Sequence, residues 1–212
     1  MGKLSIRRIV CGLYEANCFA ITTNGRKDAV IIDPGDGYAQ INAQINRDGL
    51  SVTDIVLTHG HFDHILSASR IARDSGARVL IHIGDAHMLC DAGAALYTAA
   101  LTTDAFMAMP HGEAISFADG DLLDLCGVPF TALHTPGHTP GSACLYSPEE
   151  GVMFTGDTLF SDGYGKTTFP GGDGTQMRAS LRRLAQLPPE TVIYPGHYDG
   201  TALGASPVKV WR

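Results

Sequence analysis

Five times along this chain an apolar, strand-like run stops at a short loop built from glycine, proline, histidine and aspartate. Residues 29–32 run into Asp33-Pro34-Gly35, and residues 54–57 into Thr58-His59-Gly60-His61-Phe62-Asp63-His64. Residues 128–133 run into His134-Thr135-Pro136-Gly137-His138, residues 151–155 into Gly156-Asp157, and residues 191–194 into Pro195-Gly196-His197. Gly and Pro at such places mark turns, and short apolar runs bounded by turns are strands. Helical stretches at 38–47, 64–76 and 175–187 separate them. Strands that end in polar loops, with helices between, imply a layered α/β architecture whose site lies at the strand ends. Further strands are expected at 6–11, 18–22 and 78–83. No stretch is rich enough in Pro, Gly or Ser to act as a linker, so residues 1–212 are expected to form a single domain. The Ala- and Met-containing segment 85–109, ending at Pro110, is expected to be mainly helical, either as a lid or as packing over a sheet edge.

The loop at 58–64 places His59, His61, Asp63 and His64 within six residues. A lone histidine is usually a satisfied core residue, but three of them with an aspartate would be costly to bury without a cation. Imidazole and carboxylate donors favour zinc, iron or manganese. The five cysteines, Cys11, Cys18, Cys90, Cys126 and Cys144, contain no C-x-x-C pair. Neither a disulfide framework nor a thiolate metal site is therefore expected. The other histidines, His82, His87, His111 and His134, lie off the ligand pattern and are assigned structural or surface roles.

Composition narrows the class of function. With 44% hydrophobic and 17% charged residues, the chain resembles a globular protein rather than a disordered one. A net charge of −7 and a pI near 5.6 argue against a nucleic-acid surface, and the pairs Arg7-Arg8 and Arg182-Arg183 read as solvated. No apolar run approaches the roughly 18 residues that span a bilayer. The start, Met1-Gly2-Lys3-Leu4-Ser5-Ile6, has no signal-peptide core, so a cytoplasmic location is expected. The expected partner is a small-molecule substrate, with no nucleic acid, no membrane and no preference between monomer and oligomer. The apolar tail at 207–211 is expected to pack against its own domain.

Taken in order, these motifs resemble those of the metallo-β-lactamase superfamily. Thr58-His59-Gly60-His61-Phe62-Asp63-His64 is similar to its defining metal motif, and Asp33-Pro34-Gly35 to its early Asp motif. Thr135-Pro136-Gly137-His138-Thr139-Pro140-Gly141-Ser142 resembles the third-His motif, Thr155-Gly156-Asp157-Thr158-Leu159-Phe160 the bridging-Asp motif, and Tyr194-Pro195-Gly196-His197 the last-His motif. The resemblance implies a four-layer αββα sandwich. It implies two divalent metal ions, with zinc expected and iron or manganese compatible. His59, His61 and His138 would hold one ion, Asp63, His64 and His197 the other, and Asp157 would bridge them. Asp33 would support the metal loop from behind, or serve only as a turn former. A hydroxide shared by the metals would be the nucleophile, with Asp63 as the catalytic residue that positions it or collects its proton.

Within the superfamily the chain looks most like the glyoxalase II branch, which hydrolyses glutathione thioesters such as S-lactoylglutathione. That likeness rests on Gly156 to Phe160, on Gly165-Lys166, and on Phe169-Pro170-Gly171-Gly172-Asp173. Lys166 is the candidate substrate contact, weighed equally against a solvated lysine. Thr168 stands where long members place a glutathione-binding Tyr, and the chain ends at Arg212 without their helical C-terminal domain. The alternatives are hydrolysis of another ester, lactone or phosphoester, a mononuclear iron persulfide dioxygenase, and a non-catalytic metal-binding module. A β-lactamase is disfavoured because such enzymes are normally exported.

Overall fold

The computed structural model describes residues 3–211. The expectations attached to Met1, Gly2, the Trp211 side chain and Arg212 fall outside the described residues. One sheet contains β1 (Leu4–Cys11), β2 (Ala16–Thr23), β3 (Asp28–Ile32), β4 (Ser51–Leu57), β5 (Arg78–His82) and β6 (Ile115–Phe117), in that spatial order. Helix α1 (Tyr38–Asp48) joins β3 to β4, and α2 (Phe62–Ile65) and α3 (Ala68–Ser75) lie between β4 and β5. The other sheet contains β7 (Leu122–Leu125), β8 (Val128–His134), β9 (Ala143–Ser147), β10 (Val152–Gly156), β11 (Val192–Pro195) and β12 (Thr201–Ala202), again as sequential neighbours. Helix α4 (Gly174–Leu184) joins β10 to β11, and the Asp173 side chain caps it by accepting from the amides of Thr175 and Gln176.

Side-chain alternation along the strands decides the layering. In the first sheet Ile31, Ile55, Leu57 and Ile81 face Ile41 and Ile45 of α1 and Ala68 and Ile71 of α3. Their neighbours Val30, Ile32, Val56 and Leu80 face the opposite way, against Leu125, Phe130, Leu145 and Phe154 of the second sheet. On that sheet's outer face Cys144, Met153 and Ile193 pack under Met177, Leu181 and Leu184 of α4 and Val208 of the tail. Three apolar interfaces separate four layers, as expected of an αββα sandwich; of the tail expected to pack on its own domain, Val208 is buried against α4 while Val210 is exposed.

Strand direction then gathers the loops. β3 pairs parallel with β4, and β10 parallel with β11. β8 and β10 both pair antiparallel with β9 and so run the same way. The C-terminal ends of β3, β4, β8, β10 and β11 therefore deliver all five polar loops to one edge. The sheets are tied there by Ala143 N–H to the Thr58 carbonyl at 2.9 Å and Asn17 N–H to the Gly196 carbonyl at 2.7 Å.

The helix expected at 64–76 is divided in two. Between α2 and α3, Ser67 donates through its amide to the Pro34 carbonyl and through its hydroxyl to the Gly35 carbonyl, which pins the break to the Asp33 loop. Segment 85–109 is not mainly helical either. It has short 3-10 turns at Ala86–Leu89 and Ala99–Leu101, with irregular backbone between them. Carboxylates take the amides a helix would use: Asp91 accepts from Gly93 and Ala94, and Asp36 from Thr103 and Asp104. Asp104 in turn accepts from the amides of Gly37 and Tyr38 at the start of α1. Met88, Leu89, Ala95 and Met109 are nevertheless buried in the helix-side core of the first sheet. No helix among the described residues is long and apolar enough to cross a membrane.

Candidate metal centre

The loop after β4 is extended through His61 and then turns into α2, whose first turn carries Asp63 and His64. Loops from the second sheet bring His138, Asp157 and His197 to meet them. Among the described residues three groups of donor atoms result, one of which, Asp33 with His59 and His64, has its carboxylate already occupied by the Thr58 amide and hydroxyl, which leaves two to hold cations. His59, His61 and His138 place one nitrogen each within 4.8 Å of one another, and so do the donor atoms of Asp63, His64 and His197. Asp157 lies between the groups, with Oδ2 3.4 Å from His138 Nε2 and 3.6 Å from His197 Nε2, and Oδ1 3.4 Å from His64 Nε2. All seven residues expected from the sequence are brought together.

The hydrogen bonds behind the imidazoles aim their lone pairs inward. Thr58 donates its hydroxyl to Asp33 Oδ2 at 2.6 Å, so the contact between Thr58 Oγ1 and His59 Nδ1 at 3.1 Å leaves the ring nitrogen as donor. His64 Nδ1 faces Asp33 Oδ2 at 3.2 Å, and His138 Nδ1 faces the Lys166 carbonyl at 2.7 Å. With those Nδ1 atoms donating outward, each Nε2 is left for a cation. His59 Nε2, His61 Nε2 and Asp157 Oδ1 are buried with no hydrogen-bond partner. His61 Nδ1 approaches His138 Nε2 to 2.9 Å, and His64 Nε2 approaches His197 Nε2 to 3.3 Å. Nitrogens bound at about 2.0–2.1 Å to one tetrahedral zinc would be separated by about 3.3 Å, so these spacings suit shared cations. The orphaned His59 Nε2 and Asp157 Oδ1, together with His61 Nδ1 facing His138 Nε2, fit two divalent metals.

Electrostatics divides the histidines. Burial, reinforced by charge on His64, His138 and His61, holds His59 well below the ordinary imidazole range. Burial and His138 push His61 down to about 3. Burial also opposes a charge on His64, but the carboxylates of Asp63, Asp157 and Asp33 outweigh it and raise the ring to about 10. Burial would raise Asp63, but His64, His197 and His61 together hold it below the usual carboxylate range.

Asp33 sits under the metal loop with φ 49°, a left-handed conformation that turns its carboxylate beneath Thr58 and His64. Two further residues that position the loops were missed from sequence. Asn17 Nδ2 donates to the carbonyls of Pro195 and Tyr198, on either side of His197. Asp85, fully buried, accepts from the Gly60 and Gly141 amides. Neither lies in a motif, and a polar residue inside an apolar run, as Asn17 is, was the available signal. His134 stacks on His82 at 4.1 Å and faces the Pro140 carbonyl, in keeping with a structural role. His87 and His111 are exposed.

Lys166 and Thr168 are exposed at the rim. The Lys166 ammonium lies 5.6 Å from the Phe169 ring centroid, and that ring stands edge-on to His61 at 5.7 Å and near His138 at 6.1 Å. A cavity of about 380 Å³ opens beside His197, lined by Arg8, Tyr14, Asn17, Tyr198 and Asp199. A larger one of about 440 Å³, between α3 and the β5–β6 edge, is lined by none of the metal-cluster residues.

A family model described as the metallo-beta-lactamase superfamily matches residues 11–197. Protein ML0493 of Mycobacterium leprae is 36% identical over 92% of this chain and 91% of its own length. Hydroxyacylglutathione hydrolase GloC of Haemophilus influenzae is 31% identical over 95% of this chain and 94% of its own. Among solved structures, TTHA1623 in a di-iron-bound form superposes with a TM-score of 0.82 at 34% identity, covering 94% of this chain and 96% of that one. The B3 metallo-beta-lactamase BLEG-1 superposes with a TM-score of 0.83 at 31% identity, covering 95% of both chains.

Proposed function

The chain belongs to the metallo-β-lactamase superfamily, and on that premise we propose that it is a dinuclear metal-dependent thioester hydrolase acting on S-lactoylglutathione or a similar acyl thioester. The observation that carries this reading is the convergence of His59, His61 and His138 in one donor group and Asp63, His64 and His197 in another, with Asp157 between them. In this assignment His59, His61 and His138 would hold one divalent cation, Asp63, His64 and His197 the other, and Asp157 would serve both. Zinc is the expected metal, and iron or manganese suits the same donors. Such cations would supply Lewis acidity to a carbonyl oxygen and lower the pKa of a shared water toward neutrality.

The chain's own groups divide the remaining work. Asp63, held ionised by His64, His197 and His61, would accept a hydrogen bond from the attacking water and orient it. Asp33 and the Lys166 carbonyl hold His64 and His138 in fixed tautomers. The Lys166 ammonium beside Phe169 meets a carboxylate of the substrate. A thiolate, with a conjugate acid near pKa 8.5, departs without prior protonation. That suits a site whose imidazoles are committed to cations and to the hydrogen bonds behind them. Similarity to GloC along nearly the whole of both chains supports the same substrate class.

A second reading, hydrolysis of a β-lactam amide, is favoured by the likeness to BLEG-1. Thiol release from S-lactoylglutathione by metal-loaded protein, beside a chromogenic cephalosporin and an Asp63→Ala control, separates the two. Turnover of the thioester that depends on Asp63 is expected. Turnover of the lactam alone would replace the reading, and loss of both would move attention to lactones and phosphoesters.

A further inference from the structure

Asp85 is a fully buried carboxylate to which the assignment above gives no part. Its Oδ2 accepts from Gly60 N–H at 3.0 Å and from the Thr139 hydroxyl at 2.6 Å, and its Oδ1 from Gly141 N–H at 2.6 Å. Gly60 is the residue between His59 and His61, and Thr139 follows His138. A single side chain thus joins the loop after β4 to the loop after β8, and all three imidazoles of one donor group ride on those loops. The second loop is closed on itself as well, because Thr139 N–H donates to Ser142 Oγ at 3.1 Å. Gly141 is needed for this seat, since a Cβ there would fall 2.6 Å from the Asp85 carboxyl carbon.

Asp33 is a brace of a different kind, with contacts that reach both donor groups. Asp33 holds His64 Nδ1 and the Thr58 amide and hydroxyl. Hydrogen bonds to an ionised acceptor are stronger than neutral ones, and a carboxylate with three donors in a buried site fixes their relative positions firmly. We propose that Asp85 is a positioning residue for the three-histidine half of the centre alone. It sets the span between His59, His61 and His138, and hence the affinity of the cation they hold, while Asp33 braces His64 directly and His59 through the Thr58 hydroxyl. This rests on the dinuclear reading.

The test is titration of ion-free protein with cobalt(II), followed by d–d absorption and calorimetry. Wild type is compared with Asp85→Asn, Thr139→Val and Thr139→Ser, each also in a His197→Ala background that leaves the three-histidine group as the intact one. Asp85→Asn turns an acceptor into a donor facing donors. It is expected to weaken one of the two cations by about ten- to a hundredfold, the one retained in His197→Ala, and to alter its absorption band. Thr139→Val should shift the same cation in the same direction by less, and Thr139→Ser should restore it. Equal weakening of both cations, or wild-type affinity for both, overturns the inference while the dinuclear reading stands. A wild type that binds fewer than two cations overturns the reading, and the inference with it. Should Asp85→Asn not fold, the pair Thr139→Val and Thr139→Ser decides by the same criteria.

Discussion

Asp33 and Asp63 both lie against the His64 ring, and their surroundings give them different work. Asp33 is buried and occupied by Thr58 and His64 Nδ1, whereas Asp63 is more open, with Oδ2 3.4 Å from His197 Nε2. Asp63→Ala is expected to lower kcat by about 10²- to 10⁴-fold with the three-histidine cation retained. Steady-state thiol release together with metal analysis checks this, and an unchanged kcat would remove Asp63 from the water-orienting role. His64 makes a second prediction. Its imidazole, raised from 6.5 to about 10 in the ion-free protein, contributes stability that is fully present below 6.5 and lost as pH rises through about 10. At neutral pH a cation entering the Asp63–His64–His197 group must displace that proton. Its affinity should therefore rise about tenfold per pH unit between 7 and 9, with about one proton released on binding. Calorimetry in buffers of different ionisation enthalpy reads both quantities, and a pH-independent affinity would sink the assignment of His64 as charged.

At the scale of elements, the turn after β8 shows how closely a ligand loop can be tied to a helix. Gly137 has φ 137°, and a Cβ there would lie 2.4 Å from the Met177 amide nitrogen in α4. Gly137→Ala therefore forces α4 away from the sheet, and is expected to destabilise the protein by about 1–3 kcal/mol or more. Urea unfolding measures this, and a variant within about 0.5 kcal/mol of wild type would show that α4 yields freely. The strand-end loops were legible because an apolar run halted by Gly, Pro and a cluster of His and Asp leaves few other structures open. Segment 85–109 was not. Its alanines and methionines have helical propensity, but Asp36, reached across 67 residues of sequence, takes the Thr103 amide, and no local pattern announces such a partner. Asp85 was hidden for the same reason, since its donors come from Gly60 on one side and Gly141 on the other. Loop bonds at long sequence separation are set by the packed sheets, so they become visible only once the layers are assembled.

The whole molecule puts its two sheets and its metal centre under one constraint. His59, His61, Asp63 and His64 come from the first sheet, and His138, Asp157 and His197 from the second. The apolar layer between the sheets, with Phe19, Val56, Phe130 and Phe154 at its centre, is common to both. Cations held at the strand ends would clamp the edge that the Thr58–Ala143 and Asn17–Gly196 hydrogen bonds already close. We therefore expect residues 1–212 to unfold as one cooperative unit. Loading is expected to add about 2.7 kcal/mol for each site held at a hundred times its dissociation constant. For a chain of 212 residues each kcal/mol moves Tm by about 2–4 °C, so two cations should raise it by roughly 10–20 °C and a chelator should reverse the shift. Calorimetry with and without chelator tests both statements. A single transition that moves with metal supports the clamp across both sheets. Two resolved transitions, only one of them sensitive to metal, would mean that the sheets fold separately and that the cations bind to one of them.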